Sequence, residues 1–344
     1  MRKLILLLLV FVASLIAKPN VVILATGGTI AGSAAGSTNA QYDAGQLGVD
    51  ILIKAVPEIQ DIANIKGEQV ANISSNNMTN EIWLKLAKRV NELLKSGDAD
   101  GIVITHGTDT LEETAYFLNL VVKSDKPVVL VGAMRSATSM SADGPLNLYN
   151  AVSVTADKSS AGNGVLVVLN DEIHAAREVT KTNTSSVDTF KSRNTGQIGR
   201  VYYGKVVYTA KNLKKHTKNS VFDVSKLDTL PRVDIVYSHA NDYGDIVEHL
   251  VKMGSKGIVH AGTGNGSIHN DVMVTLKAAQ DSGVRVVRSS IVGSGFIDPS
   301  KKMDYDGKFI LGSDLNPQKA RILLMLGLTK TDDVKELQKY FREY

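Results

Sequence analysis

The residues able to do chemistry fall in three short stretches: Thr26-Gly27-Gly28-Thr29, His106-Gly107-Thr108-Asp109-Thr110, and Lys181. A threonine hydroxyl becomes a nucleophile when a neighbour takes its proton. A lysine can drive this if burial or nearby charge lowers its pKa. Paired glycines let main-chain N–H groups come close to a developing oxyanion. Two threonines, an aspartate and a lysine therefore suit attack by a hydroxyl with the resulting oxyanion held nearby. Each also has a structural reading. Thr29 could cap a helix, Asp109 could be the N-cap of a helix beginning at Leu111, and Lys181 could be one of many solvent-facing lysines. No Ser-His-Asp triad is legible around His106, which suits a hydrogen-bonded structural histidine. Gly27-Gly28 with Gly32, and Gly262 to Gly266, both miss the dinucleotide-binding spacing. No phosphate-loop, H-E-x-x-H or G-x-S-x-G motif occurs. These absences count against cofactor and metal chemistry, and the lack of cysteine removes thiolate ligands, a cysteine nucleophile and disulfides.

What must position these residues is a set of strands. Val21–Ala25 is a short, β-branched apolar run, and the form recurs at Gly101–Thr105, Pro127–Val131 and Val165–Leu169. Continuous apolar runs of this length suit parallel strands buried on both faces. Helical patterns separate them. Asn80–Lys95 places Trp83, Leu86, Ala87, Val90 and Leu94 on one face, with Asn80 as expected N-cap and Gly97 just past the end. Leu111–Val122 and Asn147–Ala156 follow. Alternation of strand and helix predicts an α/β fold: a parallel sheet with helices on both faces, and ligands beyond the carboxyl ends of its strands. Those ends deliver Thr29, the Thr108–Asp109 pair, the turn Gly132–Arg135, and Asn170 to Glu172, with Lys181 shortly after.

The 344 residues allow about two domains with sizeable cores. Met1–Ala17 has the layout of a secretory signal peptide: Arg2 and Lys3, then unbroken apolar Leu4–Val12, then small residues. The run is shorter than the roughly 20 residues of a spanning helix, so the mature protein is expected to be exported and periplasmic rather than membrane-bound. Net charge is +4, or +2 once Arg2 and Lys3 are removed, which gives no reason to expect nucleic acid as partner. Residues 18–210 read as a larger amino-terminal catalytic domain. The basic stretch 211–231, with Lys211, Lys214, Lys215, His216 and Lys218, reads as a solvated linker. Residues 232–344 read as a smaller α/β domain with strands Asp234–Tyr237, Gly257–His260 and Val284–Val287, and helices Asp271–Gln280 and Asn316–Leu328.

ATGGTIAG (Ala25–Gly32) and THGTDTLEETAYFL (Thr105–Leu118) resemble the two signatures of bacterial-type L-asparaginases, and the signal peptide points to their exported branch. The resemblance continues through GAMR (Gly132–Arg135), SADGPLNLYNA (Ser141–Ala151), TKTNT (Thr180–Thr184), GNG (Gly264–Gly266) and LNPQKARILL (Leu315–Leu324). It implies hydrolysis of L-asparagine to L-aspartate and ammonia without metal or cofactor. It also implies a homotetramer whose sites lie at an intimate dimer interface. In that family pattern Thr29 is the nucleophile, and Tyr42, on a closing loop, hydrogen-bonds it. Thr108, Asp109 and Lys181 form a second catalytic cluster, with Asp109 holding the α-ammonium. Ser75 and Asn76 grip the substrate's charged end, Ala133 supplies a carbonyl near the amide, and Asn265 reaches in from the partner. Two departures stand out: Ser75-Asn76 replaces the commoner Ser-Gln, and the segment Phe296–Lys308 lacks the family's inter-subunit glutamate, leaving Asp304 or Asp306 as replacements. A glutaminase-asparaginase that also accepts L-glutamine is the alternative enzyme, and an exported amino-acid-binding protein the alternative of another class.

Overall fold

The computed structural model describes residues 17–32, 45 and 48–344. Tyr42 and residues 1–16 of the expected signal peptide lie outside the described residues. The apolar run expected near the start forms β1 (Asn20–Gly27), paired in parallel with β2 (Asn64–Ile73) on one side and β3 (Gly101–Thr105) on the other, with Ala25 opposite Thr105. The sheet continues in parallel through β4 (Val128–Val131) and β5 (Val165–Leu169). There the parallel expectation ends. Asn170 and Asp171, at φ 51° and 62°, make a two-residue turn instead of a helical crossover. The strands β6 (Glu172–Ala175), β9 (Gly199–Tyr202) and β10 (Lys205–Tyr208) therefore add in antiparallel fashion. Between them β7 (Val179–Lys181) and β8 (Phe190–Ser192) form a separate antiparallel pair.

The helices of this part are α1 (Val49–Lys54), α2 (Ile59–Ile62), α3 (Asn80–Ser96), α4 (Leu111–Val121) and α5 (Gly144–Ala156). The apolar face read for α3 is buried as expected and Gly97 ends the helix at φ 86°, but the N-cap is Thr79, whose Oγ1 accepts from Ile82 N at 3.3 Å, and not Asn80. The carboxy-terminal sheet is parallel, in the order β11 (Val233–Tyr237), β12 (Gly257–Gly262), β13 (Arg285–Ser290) and β14 (Ile310–Leu311). Its helices are α6 (Asp245–Lys252), α7 (Asn270–Asp281), α8 (Pro317–Gly327) and α9 (Val334–Glu343). One apolar cluster joins the two sheets: Leu118 of α4, Val259 of β12 and Leu323 of α8 belong to it.

The basic stretch before β11 is more anchored than a solvated linker. Phe222 and Val224 are buried in that shared cluster, because Phe222 packs against the rings of Tyr340 and Tyr344 at 5.2 and 5.1 Å. Three of its lysines also have partners: Lys215 pairs with Glu343 at 2.9 Å, Lys218 with Asp125, and Lys214 donates to Arg342 O at 2.5 Å.

Buried histidines make stability depend on pH. Burial holds His106 and His260 down at about 4, against an ordinary value near 6.5. The folded protein therefore binds fewer protons than the unfolded chain between those values. This contribution is fully present above about pH 6.5 and is lost as pH falls towards 4, at up to about 1.4 kcal/mol per pH unit for each histidine. Thermal unfolding between pH 7.5 and 4.5 should give a shallower acid-side loss in His260→Asn than in the unmodified protein. Parallel curves would show that His260 already protonates freely in the folded state.

Candidate active site

The carboxyl ends of β1 and β3 are adjacent, so their turns lie side by side. Gly28 sits at φ 83°, and a Cβ there would collide with the main chain of Gly107. Only glycine lets the two turns touch, and the residue after each glycine is a threonine. Thr29 opens the single 3-10 turn Thr29–Ala31 and is 5% exposed. Gly28 precedes this turn as cap, so Thr29 is not itself the cap. One expectation is corrected here: the Gly28 N–H donates to Ile73 O at 3.0 Å and is not available to an oxyanion.

Thr108 is as buried as Thr29, and its Oγ1 accepts from Lys181 Nζ at 2.9 Å. The same ammonium donates to Asp109 Oδ1 at 2.7 Å. Neither bland reading holds for these residues. The N-cap position of α4 belongs to Thr110, and the Lys181 side chain is only 17% exposed. Ser75, buried at the end of β2, accepts from Asp109 N at 3.2 Å through Oγ and from Thr110 Oγ1 at 2.8 Å through its carbonyl. Asn76 is exposed beside it, its amide directed at Asn77 Oδ1 at 3.3 Å.

The turn after β4 carries Ala133, which is fully buried. Asp143 fixes this turn by accepting from Met134 N and Arg135 N at 3.0 and 2.9 Å, and Asn147 Nδ2 donates to Gly132 O at 3.1 Å. His106 is held as a neutral structural group. Its ring nitrogens meet Gly107 O at 2.7 Å and Thr114 Oγ1 at 2.9 Å, and Thr114 Oγ1 accepts from Trp83 Nε1 at 2.8 Å.

Asn265 lies apart from this cluster within the chain, on the turn after β12, exposed and exchanging two hydrogen bonds with Asp298 at 2.7 and 2.9 Å. Asp304, offered by the sequence as a replacement acid, is 5% exposed and bound to Arg288 Nε at 2.6 Å. Its carboxylate is already paired within its own domain, accepting from Ser300 N as well. Asp306 sits on an exposed turn at φ 52°.

Sequence reasoning missed Glu112. Its buried carboxylate accepts from Thr180 Oγ1 and Lys181 N, both at 2.7 Å, and from Asn316 Nδ2 at 2.6 Å. As an acid in the first turn of α4 it has a sufficient local explanation as a favourable partner of the helix dipole. Nothing local marks it, because the partners lie 68, 69 and 204 residues away. Lys319 was missed for the same reason. It is buried on α8, donates to Arg177 O at 2.9 Å and to Val179 O, and is pushed down to about 8 by burial, with Glu112 opposing the shift.

Comparison with known proteins gives a consistent picture. The family model described as asparaginase, N-terminal, matches residues 20–214, and that of the glutaminase/asparaginase C-terminal domain matches residues 232–341. The chain is 56% identical to L-asparaginase 2 of Bacillus subtilis, over 95% of this chain and 87% of that one. It is 54% identical to a protein of Haemophilus influenzae described as a probable periplasmic L-asparaginase, over 95% and 93%. A crystal structure described as that of a probable cytoplasmic L-asparaginase from Campylobacter jejuni superposes with a TM-score of 0.93 at 53% identity, covering 95% of this chain and all of that one.

Proposed function

We propose, from the premise that the chain belongs to the asparaginase family, that it hydrolyses the side-chain amide of L-asparagine to L-aspartate and ammonia with Thr29 as nucleophile. The observation that carries this reading is the Lys181 ammonium bonded at once to Thr108 Oγ1 and Asp109 Oδ1, next to the turn that bears Thr29.

Thr29 Oγ1 adds to the amide carbon, and its proton passes to the departing nitrogen. Main-chain N–H groups of the two turns, other than those of Gly28, His106 and Asp109, which are bonded within the fold, hold the oxyanion, each donor worth about 3–4 kcal/mol in other hydrolases. Ammonia leaves, water adds to the resulting ester, and aspartate departs as Thr29 recovers its proton. Thr108, polarised by Lys181, exchanges the protons. Asp109, Ser75 and Asn76 hold the α-ammonium and α-carboxylate, and Ala133 O accepts from the amide. The family pattern assigns Tyr42 as the hydrogen-bond partner of Thr29, and on the same pattern Asn265 is proposed to complete the site of a neighbouring subunit in a homotetramer. Light scattering would check that assembly.

Export is inferred from the chain's own Arg2-Lys3 and Leu4–Val12 pattern, which amino-terminal sequencing of the mature protein would check. The two relatives whose descriptions name a compartment differ in it.

The experiment is ammonia release by the purified protein from asparagine and glutamine. Asparagine should be turned over with the higher kcat/KM, by about 10- to 200-fold for one methylene. Binding of asparagine without ammonia release would leave an amino-acid-binding protein. Equal kcat/KM for both amides would make the enzyme a glutaminase-asparaginase, the description carried by a Pseudomonas fluorescens relative at 51% identity over 94% of this chain and 90% of its own.

A further inference from the structure

Lys181 stands on a strand of only three residues, β7, which among the described residues pairs with the equally short β8 alone. Such a strand does not fix a long flexible side chain by ladder bonds alone. Its main chain is held in addition by a carboxylate from α4. Glu112 Oε2 accepts from both Thr180 Oγ1 and Lys181 N, while Oε1 accepts from the Asn316 side-chain amide. Asn316 is in turn the N-cap of α8, its Oδ1 accepting from Lys319 N at 3.0 Å. The carboxylate is buried and has charge-assisted acceptor bonds on both oxygens, the stronger class of hydrogen bond.

We propose that Glu112 is the positioning residue for Lys181. It pins the 180–181 main chain to the first turn of α4 and so sets the reach of Lys181 Nζ to Thr108. Through Asn316 it makes that reach depend on the seating of α8. Glu112 touches no reacting atom in this scheme. The effect on turnover rests on the reading of Lys181 given above, but the geometric claim does not.

Glu112→Gln tests both. An amide oxygen in the place of Oε2 keeps two acceptor bonds, but the amide NH₂ then faces the Asn316 NH₂, donor against donor. Asn316 cannot turn over without giving up its cap. A displacement of about 1 Å at a catalytic group can cost up to about 100-fold in rate. Glu112→Gln is therefore expected to lower kcat for asparagine by about tenfold or more with KM changed by less than about threefold. In a Lys181→Met background the same change should lower kcat by less than about twofold, since the two act as one unit. Equal losses in the two backgrounds, or no loss in the first, would overturn the proposal. If Glu112→Gln does not fold, Thr180→Val removes a single donor. It should give a smaller loss, about threefold, that also vanishes with Lys181→Met, and additivity there would overturn the proposal equally. A crystal structure of the folded variant gives a readout independent of activity. Lys181 Nζ should move from 2.9 Å to beyond about 3.5 Å from Thr108 Oγ1. An unmoved Lys181 would refute the positioning role even if the protein released no ammonia.

Discussion

Replacing Thr29 by valine should lower ammonia release from asparagine by about 10⁴-fold or more, with KM changed by less than about threefold. The change exchanges one hydroxyl for one methyl at constant shape. Thr29 is 5% exposed, and the turn it opens is held by its own carbonyl, which accepts from Gly32 N at 2.8 Å. The main-chain bond that holds the turn is untouched, so the loss falls on the chemistry in which the hydroxyl takes part. Thr29→Ser keeps a hydroxyl and should keep measurable turnover. If Thr29→Val retains a tenth of the original kcat, the nucleophile is elsewhere, and Thr108, the other buried threonine beside Lys181, becomes the first place to look.

Lys181→Met should lower kcat by about 10²- to 10⁴-fold, the usual size of a general acid–base contribution. Methionine keeps an unbranched stem that fills the same space but donates nothing to Thr108 Oγ1 or Asp109 Oδ1. Stability should hardly respond. The Lys181–Asp109 pair is more than half exposed on the aspartate side, and such pairs contribute about 0–1 kcal/mol. Thr108→Val should produce a loss of similar size, and the double variant should be no worse than either single one, because both changes remove the same proton path. A Lys181→Met enzyme within about twofold of the original would return Lys181 to an ordinary half-buried ion pair.

How legible these residues were depends on where their partners lie. The strands β1, β3 and β5 could be read because each is a continuous apolar run buried on both faces, and the ends of β1 and β3 then place Thr29 and Thr108 side by side without further information. The antiparallel half of the sheet could not be read. Its strands are only four residues long, and β9 and β10 alternate exposed and less exposed positions, so no run stands out from a polar loop. The turn at Asn170–Asp171 that reverses the sheet was visible only as a set of polar candidates. Phe222 and Val224 were hidden in a lysine-rich stretch because two aromatic residues more than 100 positions later bury the former. For Asp304, being acidic near the right segment was the whole sequence signal, and pairing with Arg288 inside the fold decides against it.

Glu112 shows the limit most clearly. Its residue type and place in a helix's first turn already have a sufficient local explanation, so nothing in the string asks for another. Only the fold brings Thr180, Lys181 and Asn316 to the two oxygens of one carboxyl group.

The most direct measurement is a crystal structure of the Thr29→Val variant soaked with asparagine. The proposed chemistry predicts an intact amide whose carbon lies about 3–3.5 Å from the side chain at position 29, with the α-ammonium on Asp109 and with Lys181 still on Thr108. An amide bound more than about 5 Å away, or turned so that Thr108 and Lys181 face its α-carboxylate, would contradict it.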